Sequence, residues 1–217
     1  MSPGNYHHGD LRAALITTGL ELTRQGGPSA LSLREAARRI GVSPNAAYRH
    51  FANHGALLAA VAAEIQDRMA TAMRAKMSAA TGGPAVRAVA ELRGVGLGYV
   101  GFALTEPGWF QLAFFTPDGV DRPDGRIPPP LTLLHHALDS LVAAGVLAPA
   151  RRAGAVWSCW STVHGFAELA VHGPLRAESA EVLEQLGERV VDDITAGVLA
   201  QAGTGRQNPV EPSSHQT

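Results

Sequence analysis

Cysteine is all but missing from this chain of 217 residues: Cys159 stands alone. An intramolecular disulfide is therefore impossible and a four-cysteine zinc site is excluded, a pattern that suits the reducing cytosol. Long apolar runs are missing too. No window reaches the roughly 18 uninterrupted apolar residues of a membrane helix, and Met1 to Asp10 holds no basic segment followed by an apolar run, so neither membrane insertion nor export is expected. Runs of alternating β-branched residues are absent, which removes the usual signal for strands. What remains is a chain with 46% hydrophobic and 17% charged residues, enough to bury a real core.

Charge is unevenly shared. Residues 1 to 60 hold six arginines and no lysine against Asp10, Glu21 and Glu35, a net +3, whereas the remainder holds 12 basic and 16 acidic residues, a net −4. A basic end on an acidic body suits an anionic partner, nucleic acid first among them.

Helix signals recur along the chain. Leu11, Ala14, Leu15, Thr18 and Leu22 fall on one face at three-and-four spacing, and Gly26-Gly27-Pro28 closes that helix. Ser32-Leu33-Arg34-Glu35 has capping-box spacing, with the serine hydroxyl taking the N3 amide and the glutamate returning to the serine amide. The second helix then ends at Gly41, and Ser43-Pro44 supplies a new N-cap and first-turn proline for a two-turn third helix reaching about His50. Asn53 caps a longer fourth helix to about Met77. Further helices are expected over Pro84 to Thr105, Trp109 to Phe115, Pro129 to Ala144, Pro149 to Val171 and Ser179 to Gln201, with a loop over Thr116 to Pro128. The expectation is an all-α protein of about nine helices. A three-helix head (1–53) is joined through the fourth helix to a larger body (54–202), and 203–217 form a disordered tail.

Two short helices around Gly41-Val42-Ser43 have helix-turn-helix spacing, which presents the second helix to a major groove. Ala37 marks the crossing, Val42 plugs the turn, and Ile40 and Phe51 face the core. The expected DNA-facing set is Pro44, Asn45, Ala47, Tyr48, Arg49 and His50, with Ala47 offering a methyl contact to thymine. Ser32 and Ser43, at helix N-termini, are expected to meet phosphates.

The stretch from Tyr6 to Leu58 resembles the DNA-binding domain of the tetracycline-repressor (TetR) family. The resemblance is carried by Leu33-Arg34-Glu35-Ala36-Ala37, Gly41-Val42-Ser43-Pro44, Ala47-Tyr48-Arg49-His50-Phe51 and Leu57-Leu58, with an opening Tyr6-His7-His8-Gly9-Asp10-Leu11-Arg12 similar to that of one subgroup. It implies a homodimer on double-stranded operator DNA, repressing transcription until a small-molecule effector binds the body. His54 completes the expected DNA-binding set as a phosphate contact, but it departs from the lysine the family usually carries there, and because histidine is mostly neutral at pH 7 the phosphate clamp at that position is weakened. The segment from Trp157 to Phe166 is similar to the Trp…His-Gly segment of one C-terminal domain type of the same family.

Other chemistry in the body is sparse. Cys159 and His164 lie five residues apart, on different sides of a helix, which suits a buried thiol better than a nucleophile pair. The histidines His7-His8, His135-His136, His164 and His172 lack metal spacing, and no metal or other cofactor is expected. An apolar pocket is expected around Phe102, Trp109, Phe110, Phe114, Trp160 and His164. Val156, Val163, Leu169, Val182, Leu183, Leu186, Val190, Ile194 and Val198 form a stripe that serves a monomer core or a two-fold dimer seam. A DNA-binding protein without an effector and a cysteine-dependent enzyme are the rival readings.

Overall fold

The computed structural model describes residues 8–77, 81–114 and 127–200. Among them there is no strand. The α-helices are α1 (His8–Gly26), α2 (Leu33–Arg39), α3 (Pro44–Tyr48), α4 (His54–Met77), α5 (Pro84–Thr105), α6 (Pro107–Ala113), α7 (Pro129–Ala143), α8 (Arg152–Val171) and α9 (Ala180–Ala200). The chain's opening residues, Phe115 at the end of the expected aromatic helix, the 116–126 part of the expected loop, and the tail lie outside the described residues.

Local chemistry explains most boundaries. Ser32 accepts from the Glu35 amide and Ser43 from the Ala46 amide, each at 3.2 Å, so both short helices start on a serine cap. Between them Gly41 adopts φ 73°, the left-handed conformation that favours glycine. Asn53 Oδ1 accepts from the Ala56 amide at 2.8 Å and opens α4. Two details differ from the sequence expectation. The Glu35 carboxylate does not return to the Ser32 amide; it binds Arg38 and Arg39, and this pairing lowers its pKa to about 2. The aromatic helix α6 starts at Pro107, because a proline fits the first turn rather than interrupting the helix there.

A continuous core runs from Leu11 in α1 to Val198 in α9. The N-terminal half of α4 buries Leu57, Leu58 and Val61 with the head, and a Cβ on Gly19 of α1 would come within 2.6 Å of Val61. The C-terminal half of α4 lies backbone against backbone on α5. A Cβ on Gly94 would sit 2.7 Å from the Lys76 carbonyl oxygen, and one on Gly98 would collide with Met73 Cα. One 24-residue helix thus belongs to the head at one end and to the body at the other.

The short α6 is pinned between them. Glu106 holds Arg24 of α1 through two hydrogen bonds of 2.7 and 2.5 Å, and Trp109 Nε1 donates to the Leu20 carbonyl at 2.8 Å. Gly108 allows that approach, since a Cβ there would strike the Thr23 and Arg24 carbonyls. From α4, the buried Gln66 donates to the Ala113 carbonyl at 2.5 Å. No described helix is long and apolar enough to cross a membrane.

Candidate nucleic-acid interface and ligand cleft

The head presents one polar face around α3. Ser43, Pro44, Asn45 and Arg49 are exposed, Tyr48 is 43% exposed and His50 is half-buried. The capping oxygens of Ser32 and Ser43 are used within the chain, which leaves their hydroxyl protons to donate outward. The Arg49 guanidinium makes no ion pair or hydrogen bond among the described residues.

Two members of the expected set sit otherwise. Ala47 is 0% exposed: its methyl lies in the head core beside Phe51, whose amide donates to the Ala47 carbonyl at 3.1 Å. It supports α3 from beneath and does not reach a base. His54 Nε2 shares a 2.9 Å hydrogen bond with the Leu31 carbonyl, tying the start of α4 to the segment before α2. That bond occupies the ring nitrogen that would otherwise reach outward. Arg34, an exposed guanidinium without a partner in the first turn of α2, was not singled out from the sequence. A cation in the first turn opposes the helix dipole, and this conflict was its available signal.

In the body a cleft of about 360 Å³, counted to its open mouth, narrows inside to about 20 Å³ of free space. Its walls come from α4 (Met73), α5 (Leu92, Val95, Gly96, Tyr99), α7, α8 (Cys159, Trp160, Val163) and α9 (Val191, Ile194, Thr195). Only Trp160 of the expected pocket residues lines it. Phe110, Phe114 and His164 pack behind the wall, with ring centroids 5.3 to 6.3 Å apart in a cluster with Tyr99 and Trp160. Phe102 and Trp109 lie elsewhere. They stack on each other at 6.4 Å, with Arg24 and Arg68 about 5 Å from the Trp109 ring, at the contact between α1 and α6.

The cleft is electrically quiet. Among the described residues no charged side chain lines it, and the Tyr99 hydroxyl shares a 2.8 Å hydrogen bond with His164 Nδ1. Burial pushes the Tyr99 phenol well above its usual range and the Cys159 thiol up to about 11. Burial thus disfavours the thiolate form that a nucleophilic Cys159 would need, and Nδ1 of His164 is engaged by Tyr99. No group of three or more metal-ligating side chains occurs among the described residues.

A capped two-helix hairpin with an exposed polar second helix, carried on an all-α body, defines a helix-turn-helix DNA-binding protein. Residues 15–61 match the bacterial regulatory proteins of the tetR family, and residues 92–194 match the tetracyclin repressor-like C-terminal domain. The chain belongs to the TetR family and is a DNA-binding transcriptional regulator; regulators of this family are generally not enzymes.

Solved structures show the same fold. A Rhodococcus sp. RHA1 protein of unknown function is 26% identical with a TM-score of 0.65, covering 91% of this chain and 100% of that one. A TetR variant from Acinetobacter baumannii AYE in complex with minocycline is 19% identical with a TM-score of 0.61, covering 93% and 99%. The regulator FadR from Bacillus subtilis, in complex with stearoyl-CoA, is 13% identical with a TM-score of 0.63, covering 86% and 98%. No curated protein matches the chain.

Proposed function

We propose that this protein is a cytoplasmic homodimeric repressor, released from its operator when a small molecule enters the body. One observation carries this reading: α4 contributes Met73 to the cleft wall and, 19 residues earlier, begins against the head. At 1.5 Å per residue those points are roughly 28 Å apart, so a small tilt at the cleft displaces the head by ångströms. Two heads must enter successive major grooves about 34 Å apart, and such a displacement weakens the operator complex. Because the cleft is narrow, a ligand binds best where its walls have parted, and this preference shifts the balance between the two arrangements.

On the DNA side, Asn45, Tyr48, Arg49 and His50 read the groove. Ser32, Ser43, Pro44 and Arg34 sit against phosphates, with His54 holding α4 in register. Minocycline and stearoyl-CoA occupy related proteins, which supports a ligand in this one without naming it.

The second copy belongs on α8 and α9. Trp157 is 64% exposed there, with Leu169, Val182 and Leu186 also exposed, while Val156, Val163 and Val198 of the expected stripe are buried within the chain. Gly154, Gly165 and Gly197 face open space, so no contact among the described residues accounts for these helical glycines, each costing about 1 kcal/mol relative to alanine. Close approach of a partner helix gives them a reason. Operator selection from random DNA, followed by gel-shift titration with and without compounds that raise thermal stability, tests the proposal. Operator affinity unchanged by every stabilising compound would leave a DNA-binding protein without an effector.

A further inference from the structure

Thr195 is the feature of the cleft that apolar packing does not explain. It is 6% exposed, sits mid-helix in α9 and lines the cleft, yet its hydroxyl has no hydrogen-bond partner among the described residues. Thr23, Thr71, Thr105, Thr132 and Thr162 each donate to the carbonyl four residues back, whereas Thr18, equally buried, shares the unpartnered state of Thr195 but does not line the cleft. No side-chain oxygen or nitrogen among the described residues is both fully buried and unpartnered, so the Thr195 hydroxyl keeps some accessible surface, and its place on the cleft wall lets a bound molecule reach it. The remaining walls carry no charge to pair with an ion, and the Tyr99 hydroxyl is already engaged by His164.

Resting on the reading of the cleft as the effector site, we propose that it takes a small uncharged molecule with an apolar ring body and one oxygen function, and that the Thr195 hydroxyl recognises this oxygen. The hydroxyl donates to a carbonyl or ether and accepts from an alcohol, so either chemistry satisfies it. Tyr99 and Trp160 provide aromatic walls for the ring. A carboxylate or ammonium group would enter without a counter-charge and is rejected.

Isothermal titration of the full chain at pH 7 with naphthalene, 2-naphthol and 2-naphthoate tests this, on the unmodified protein and on Thr195→Val and Thr195→Ser. In the unmodified protein 2-naphthol binds, and 2-naphthoate binds at least about 100-fold more weakly. Thr195→Val weakens 2-naphthol roughly 3- to 10-fold, the effect of one lost hydrogen bond, and leaves naphthalene within about twofold. Thr195→Ser keeps the hydroxyl and keeps the preference for 2-naphthol. Equal weakening of both neutral probes in Thr195→Val, or none, overturns the role of Thr195 while leaving the cleft as a ligand site, as does loss of the preference in Thr195→Ser. Comparable binding of 2-naphthoate overturns the uncharged class. Failure of all three probes to bind the unmodified protein removes the effector site itself.

Discussion

Replacing Trp109 by phenylalanine separates two roles that an aromatic residue beside a helix break can play. The indole is 7% exposed and its Nε1 donates to the Leu20 carbonyl at 2.8 Å, a bond phenylalanine cannot make. A hydrogen bond of this kind contributes about 1 kcal/mol. The smaller ring also leaves a void against Phe102, for about another 1 kcal/mol, and weakens the contacts of Arg24 and Arg68, which at 58% and 45% exposure add only a few tenths each. The expected loss is about 2 to 3 kcal/mol, or roughly 5 to 10 °C in Tm for a chain of this length. Differential scanning calorimetry at fixed protein concentration measures it, since the proposed dimer would make Tm concentration-dependent. Naphthalene affinity should stay unchanged, because Trp109 does not line the cleft. A Tm within about 1 °C of the parent, combined with a tenfold loss of naphthalene affinity, would show that Trp109 is a pocket wall after all and that its contact with α1 is idle.

On the head, Tyr48→Ala and Arg49→Ala should each weaken operator binding by about 1 to 3 kcal/mol with unchanged circular dichroism; gel-shift titration showing parental affinity for both would contradict the assigned reading face. His54→Ala removes the bond to the Leu31 carbonyl and should lower stability by about 1 kcal/mol, while the slope of log K against log salt stays the same; a slope reduced by about one would make His54 a phosphate contact instead. Leu186→Glu puts a charge on the exposed α9 face and should yield monomers in sedimentation velocity, a result that persistent dimers would refute. The Cys159 thiol, raised from 9.0 to about 11, should react slowly with iodoacetamide at pH 8 and about tenfold faster per pH unit toward 11. The folded state there holds its proton more tightly than the unfolded chain, so this stabilisation is present below pH 9 and lost between 9 and 11. Rapid alkylation at pH 8 would mean an accessible thiolate.

What the sequence made legible in this protein is local, and what it concealed is long-range. Serine caps at 32 and 43, the turn at Gly41 and the cap at Asn53 depend on neighbours within four positions, and each is visible as a residue type at a spacing. Ala47 shows where that reasoning stops. On a helix of five residues one small side chain must face inward, and which one is set by Phe51 returning to the core rather than by the helix itself. Trp109 was misplaced for a related reason: its partner is a carbonyl 89 positions earlier, and no periodicity announces it. Tyr99 and Thr195 were missed because each sits on a helix face that also packs, where a polar atom hides within an apolar stripe.

The same two corrections narrow how a ligand can act. Trp109 and Gln66 pin α6 to α1 and α4, and Gly94 and Gly98 hold the C-terminal half of α4 close against α5. In the proposed mechanism, a molecule prising Thr195 and Met73 apart would work against the C-terminal half of α4, and a short displacement there would be amplified toward His54. Loosening the α6 pin, as in Trp109→Phe, should reduce the coupling between cleft and operator without changing the affinity of either site alone. Ligand-induced operator release remaining at full strength in that variant would place the transmission in α4 and α5 alone.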